Sequence, residues 1–259
     1  MSIFDDAILA ELATFGLELT RVTGLVVVCP VLWEPAPKRV KAATVIMLSV
    51  LAHSLGPSVG AFTGPLGALL CVSSEFMAGA AMGFVVRLSV AVAEIAGGLI
   101  APIIGFGAAQ VFDPGTGQTD SVVTRMLRLL AMLLFVTIGV HRVVIGALLH
   151  SFASVPVGSI VHPEATAGVM LDMSAEIIST GVRISLPVVA VLTMTQIALA
   201  FVSRAAPTIQ IFSVGFAVLL AVGGATMVLA LPDMAHEMIQ DVEKVEPRIE
   251  ELLMEMAGL

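Results

Sequence analysis

Three stretches of this chain contain no Asp, Glu, Lys or Arg: Ala42 to Ser74, Ile184 to Ser203 and Ala205 to Pro232. Each is long enough to cross a bilayer, which takes ~20 apolar residues as helix because lipid cannot satisfy exposed backbone groups. Apolar segments fall near residues 12–33, 42–62, 66–86, 88–112, 129–153, 184–203 and 209–231. The pattern predicts an all-α polytopic membrane protein made of helical hairpins, with six or seven spans. One stretch leaves the count open. No proline intervenes between Leu66 and Pro102, and a helix of that length outruns the ~30 Å hydrocarbon core. Either the chain turns near Arg87, or one long helix projects beyond the membrane.

The breaks between these segments differ in kind. Pro35, Pro37, Lys38, Arg39 and Lys41 form a basic turn, expected on the cytoplasmic side. Residues Gly105 to Asp120 are rich in glycine, with Asp113-Pro114-Gly115 as a turn signal. An exposed loop would be more polar at its start than Gly105 to Phe112. Irregular backbone at membrane depth is tolerated where protein surrounds it or water fills a cavity, so a re-entrant or plug-like loop is the alternative to an external one. Val155 to Arg183 reads as a non-spanning region, with an amphipathic helix from about Pro163. Arg204-Ala205-Ala206-Pro207 reads as a tight turn closing a hairpin. After Pro232, Met234, Met238, Val242, Val245, Ile249, Leu252, Leu253 and Met256 recur at helical spacing, which predicts an amphipathic helix interrupted near Pro247. Its other face is acidic, which favours a solvated or partner-binding helix over one lying on a membrane.

Composition sharpens this picture. Hydrophobic residues make up 58% and charged residues 12%, with a mean hydropathy of +1.05, and no soluble stretch is long enough for a core of its own. The net charge is −8, of which −6 lies in the tail from Asp233 onward. No cluster of bases provides a nucleic-acid surface. Cys29 and Cys71 sit in apolar runs and read as buried small hydrophobes. The acidic start lacks a small-residue cleavage site before Arg21, so the first segment reads as a retained helix. Tyrosine is absent and Trp33 is the one tryptophan, while Gly79 and Gly83, Gly97 and Gly98, and Gly223 and Gly224 are small-residue faces. Spans exposed to lipid place Trp and Tyr at the head groups, so many helix faces here are expected to meet protein.

Intramembrane charge is sparse. Glu75, Gly79, Gly83 and Arg87 follow at successive four-residue steps, and Arg87 and Glu94 share a face with ~10 Å of rise between them, too far for a direct pair. Such charges either bond partner helices or line a proton or substrate path. Nucleotide-binding, zinc-protease and serine-hydrolase motifs are absent, and His53, His141, His150, His162 and His236 are scattered. Nothing in the chain supports catalysis, a cofactor or a metal.

Gly139-Val140-His141-Arg142, then Ser151-Phe152, then Pro156-Val157-Gly158, resemble a signature of the FliR family of flagellar biosynthetic proteins, which includes the T component of type III secretion injectisomes. Arg21, Pro30, Pro37 and Arg39 resemble its N-terminal pattern, and Glu75, Gly79 and Gly83 its Glu-x-x-x-Gly-x-x-x-Gly stretch. Ala96-Gly97 to Gly105, followed by Phe112-Asp113-Pro114, resembles its central loop. Arg204, Pro207, Phe212 and Gly215-Phe216 resemble its C-terminal hairpin. Ile103, Thr208, Gln210 and Ala217 depart from the family pattern.

The resemblance implies a non-enzymatic subunit of an export gate in the bacterial inner membrane, at the flagellar basal body. FliP-like and FliQ-like subunits and an FlhB-like switch subunit would be its partners, and unfolded secreted proteins its cargo. It implies a FliP-like part over 1–128 and a FliQ-like hairpin over 184–232, while the acidic amphipathic tail over 233–259 is not part of the family pattern. It also implies that the central loop, with Gly105, Phe106, Gly107, Ala108, Ala109, Gln110, Val111, Phe112, Asp113, Pro114 and Gly115, plugs the conduit. Arg21, Pro30, Pro37, Arg39, Glu75, Gly79, Gly83, Arg87, Glu94, His141, Ser151, Pro156, Gly158, Arg204, Pro207, Phe212 and Gly215 are the candidate packing and assembly positions. The rival readings are a secondary transporter lined by Glu75, Arg87 and Glu94, and a scaffold with no conduit.

Overall fold

The structure, a computed structural model, describes residues 2–29, 36–55, 64–105, 121–159, 163–205 and 211–258. These residues form eight helices: α1 (Ser2–Val28), α2 (Lys38–Leu55), α3 (Gly64–Ile104), α4 (Val122–Ile138), α5 (Val140–Ser154), α6 (Pro163–Ala205), α7 (Ile211–Glu243) and α8 (Val245–Ala257). Among the described residues there is no strand.

The segments near 66–86 and 88–112 are one helix through residue 104, with no turn at Arg87. α3 is 41 residues long, and at 1.5 Å per residue it spans roughly 60 Å, about twice the hydrocarbon core. Pro102 falls in its last turn. There a missing N–H removes one bond without severing the body of the helix. α6 likewise joins the amphipathic stretch from Pro163 to the apolar run after Ile184 in a single 43-residue helix. Three helices, α3, α6 and α7, are long and apolar enough to cross a membrane. The six or seven apolar segments are thus fewer, longer elements among the described residues.

The 129–153 segment is different, because it is two helices bent by 67° at Gly139. Gly139 has φ of 85°, a left-handed conformation that a side chain would strain. Counted together, α4 and α5 make a fourth apolar span.

At the C-terminal end the expected boundaries move. α7 continues through Pro232 to Glu243, and the break comes at Lys244. Pro247 lies in the first turn of α8, where a proline costs little because the early N–H groups lack intrahelical acceptors. The apolar face of α8 is not free for a partner: Val245, Ile249, Leu252, Leu253 and Met256 are buried, and α8 packs on α5.

The chain divides into two compact units. The first comprises Met1–Leu88, Phe135–Ser174 and Glu243–Leu259; the second comprises Ser89–Leu134 and Ala175–Val242. Inside the first, α1 packs on α2 and α8 on α5, around Val22, Leu25, Met82, Val85, Leu148, Ile249 and Leu252. Inside the second, Val92, Ala93, Ala96, Ile100, Leu127, Ala131, Ile177, Val188 and Leu192 are buried. Much of the apolar surface of α6 and α7 stays exposed, including Leu171, Met194, Phe201, Val228 and Leu229. Exposed apolar area on that scale fits lipid or other protein, not water.

Candidate assembly site: a buried arginine hub

Residues from three separate parts of the sequence meet at Arg21. The Arg21 guanidinium, 1% exposed, lies against the Glu75 carboxylate, also 1% exposed. Its Nε donates to Glu75 Oε2 at 2.6 Å and its Nη2 to Glu75 Oε1 at 3.1 Å. Nη1 donates to the Ser151 carbonyl at 2.9 Å and to Ser151 Oγ at 3.3 Å, while Nη2 also donates to the Val155 carbonyl at 2.9 Å. All five N–H donors of the side chain are therefore engaged, in the planar fork that lysine lacks. The ring of Phe152 lies 4.6 Å below the guanidinium carbon, adding a cation–π contact.

Two of these acceptors belong to the C-terminal end of α5. The Ser151 carbonyl also accepts the Val155 N–H at 2.9 Å, and the carbonyls of the last turn carry the negative end of the helix dipole, so a buried cation is well placed there. The Glu75 carboxylate has a second task, since its Oε1 accepts the Gly158 N–H at 2.8 Å. Gly158 has φ of 85° and occupies a turn closed by the Ser159 N–H on the Pro156 carbonyl at 3.1 Å. Ser74 Oγ donates to the Ser159 carbonyl at 2.9 Å, and Cys71 Sγ to the Gly158 carbonyl at 3.4 Å. Cys71 is thus a half-buried thiol with a polar partner, whereas Cys29 is buried as expected, and neither is in a disulfide. One arginine and one face of α3 tie α1, the end of α5 and the turn after it.

The glycines beside the hub explain how α1 and α3 come so close. A Cβ on Gly79 would collide with the Arg21 carbonyl oxygen, and one on Gly24 with the Phe76 carbonyl oxygen. On Gly83 it would stand 2.8 Å from the Leu25 carbonyl oxygen. Backbone meets backbone along this seam, which only small residues permit. Glu75, Gly79 and Gly83 all face α1, while Arg87, one step further along the drifting stripe, is exposed. On the same α1, Glu18 Oε2 lies 3.0 Å from His53 Nδ1 of α2, with the Phe15 ring edge-on to the imidazole at 5.7 Å.

The second unit holds its own charge pair. Glu94 Oε1 of α3 meets Arg128 Nε of α4 at 3.2 Å, both partly exposed. A Cβ on Gly97 would stand 2.5 Å from Thr124 Cα, so this crossing is also tight. Ser121 caps α4 by accepting the Thr124 N–H at 3.1 Å. At the other end of α3, Gln196 of α6 donates to the Ile103 carbonyl at 3.1 Å, and Gly105 turns away at φ of 105°.

Of the remaining sequence-predicted positions, Pro37 and Arg39 are exposed at the start of α2, and Arg204 is exposed in the last turn of α6. Gly215 is buried, and His141 is half-buried with Nδ1 enclosed and without a hydrogen-bond partner. Pro30, Phe106 to Gly115 and Pro207 lie outside the described residues, and Phe212 is described only as a backbone position of α7. Sequence reasoning missed Gly24, Arg128, Gln196 and the Glu18–His53 pair as site residues. Gly24 alone left a signal, a second glycine eight residues after Gly16 inside an otherwise helical pattern.

The model for bacterial export proteins, family 1, matches residues 12–245. The chain belongs to that family. It is 30% identical over 220 residues to the flagellar biosynthetic protein FliR of Escherichia coli K12, covering 83% of this chain and 82% of that protein. It is 30% identical over 223 residues to FliR of Pectobacterium carotovorum, covering 84% of each, and 32% identical over 168 residues to FliR of Aquifex aeolicus, covering 63% of each. The hub from Arg21 to Gly158 falls wholly within the segment that matches the family.

Proposed function

We propose that this chain is a non-enzymatic membrane subunit of a flagellar protein-export gate. The match to the bacterial export family over nearly its whole length carries the reading, together with relatives named as flagellar biosynthetic proteins. Its site is the bacterial inner membrane, in a complex with FliP-like, FliQ-like and FlhB-like subunits. The 1–128 part is FliP-like, the 184–232 hairpin FliQ-like, and the stretch after 232 an appended tail. Exposed apolar faces on α6 and α7 offer surface for neighbouring subunits as well as lipid.

The transporter alternative loses its support at the charges. Glu75 is saturated by Arg21 and Gly158, Glu94 is paired with Arg128, and Arg87 is exposed. A carboxylate holding three structural donors is poorly suited to pick up and release protons or substrate.

Gly105 to Asp120 is the plug in this reading. Deleting residues 106–115 is expected to leave the assembled complex intact but leaky, seen as abnormal ion or solute uptake and impaired growth when the partner subunits are co-expressed. The same deletion without partners should give no leak, since no complete pore forms. Normal assembly with a tight membrane would make this segment an ordinary loop.

Assembly has its own readout. Detergent extraction after co-expression with FliP-like and FliQ-like proteins should yield one large complex containing this chain. A stable, monodisperse monomer that ignores those partners would sink the export-gate reading.

A further inference from the structure

Away from the arginine hub, a cleft of about 600 Å³ runs along the seam between α5 and α8. On α5 its wall is Arg142, Gly146 and His150, four residues apart and so on one helix face. On α8 it is Glu246 and Glu250, again four apart, with Leu253 below them. A smaller recess of about 220 Å³ shares His150, Glu250 and Leu253, so the groove continues toward the end of α8.

Two observations bear on what this exposed cleft could hold. First, among the described residues the side chains of Arg142, His150, Glu246 and Glu250 make no hydrogen bond or ion pair, although they line one cavity. Second, Gly146 has no packing reason to be glycine. A Cβ there would meet nothing within 4 Å, yet a glycine inside a helix is less favourable than alanine by about 1 kcal/mol. What the missing side chain leaves is open space along the α5 wall of the cleft.

The charges select the kind of ligand. A simple anion would face Glu246 and Glu250, and a simple cation would face Arg142. A molecule with a phosphodiester and a primary ammonium a few bonds apart satisfies both walls, with the guanidinium taking the phosphate and the carboxylates the ammonium. The volume lies in the range of small-ligand sites, ~300–1,000 Å³, and Val143, Ala147 and Leu253 supply an apolar side for a glycerol backbone. The helix that supplies this wall, α5, belongs to the bent pair α4/α5 that is apolar enough to count as one span, which argues for a lipid as the occupant.

We propose that the α5/α8 cleft binds the head group of an amino-phospholipid, with Arg142 on the phosphate and Glu246 and Glu250 on the ammonium. The test uses the full-length chain in neutral detergent, titrated with dioleoyl phosphatidylethanolamine or dioleoyl phosphatidylglycerol and read by native mass spectrometry. Phosphatidylethanolamine should bind about tenfold more tightly, the worth of one charge-assisted hydrogen bond. Gly146→Leu, which fills space on the α5 wall, and the double variant Glu246→Gln/Glu250→Gln, which removes both carboxylates, should each abolish the preference, whereas Gly146→Ala should keep most of it. Should Gly146→Leu aggregate, the double variant decides. Equal affinity for the two lipids, or a preference that survives Glu246→Gln/Glu250→Gln, would overturn the proposal. Displacement of the lipid by an equal concentration of soluble glycerophosphoethanolamine would overturn the lipid as source and leave a soluble phosphodiester in its place.

Discussion

Arg21→Met is expected to lower the stability of the purified chain by about 3–5 kcal/mol, the usual result of removing one member of a buried ion pair. Glu75 would remain buried with the Gly158 N–H as its one remaining partner in the hub, and the Ser151 and Val155 carbonyls would lose their guanidinium donors. Arg21→Lys should recover little, because a single ammonium cannot reach a carboxylate and two carbonyls from one planar fork. The double variant Arg21→Met/Glu75→Leu should be more stable than Arg21→Met alone, since no uncompensated charge stays behind. Thermal unfolding followed by size exclusion in detergent measures all of these. A single variant as stable as the parent would remove the hub from the structural core of the fold.

Gly79→Ala is the second large effect. One methyl group would collide with the Arg21 carbonyl oxygen, and neither α1 nor α3 has a flexible side chain at that point to move aside. Overpacking usually costs about 1–3 kcal/mol, and here the obstacle is backbone, so the upper end is expected. Gly98→Ala is the control, because its Cβ meets nothing within 4 Å and the change should stabilise by up to about 1 kcal/mol. The same pair of melting curves tests both. Opposite signs would establish that close approach, and not helix propensity, governs these two glycines of α3; a neutral Gly79→Ala would refute it.

The apolar runs made the helical class plain, and the periodicity after Pro232 correctly marked which side of the tail is apolar. Where helices begin and end was less legible, because Pro232 was read as the start of a separate tail and Pro247 as an interruption. Pro232 instead lies inside α7, which runs on to Glu243, and Pro247 lies in the first turn of α8. Conversely a 67° bend sits at Gly139, in a segment with no proline to announce it. Arg21, Glu75, Ser151, Pro156 and Gly158 could each be picked out by resemblance, but not that they form one network. Arg21 and Val155 are 134 positions apart, and no local pattern encodes such a pairing. Glu94 shows the same limit: its partner is Arg128 on another helix, where sequence spacing had compared it with Arg87.

The hub also dictates an order of events during synthesis. Glu75 reaches Arg21 once α3 is made, but the carbonyls of Ser151 and Val155 and the N–H of Gly158 come from a segment more than 70 residues further on. At ribosomal rates of roughly 5–20 residues per second, the wait is on the order of 4–16 s. For that interval the nascent chain holds an arginine with only part of its donors engaged, on a helix packed against the long apolar α3. Such an intermediate is prone to slip or be degraded, so the membrane insertion machinery has to shelter α1 and α3 until α5 arrives. A ribosome stalled between residues 90 and 140 should therefore leave a chain far more sensitive to protease than one stalled after residue 165.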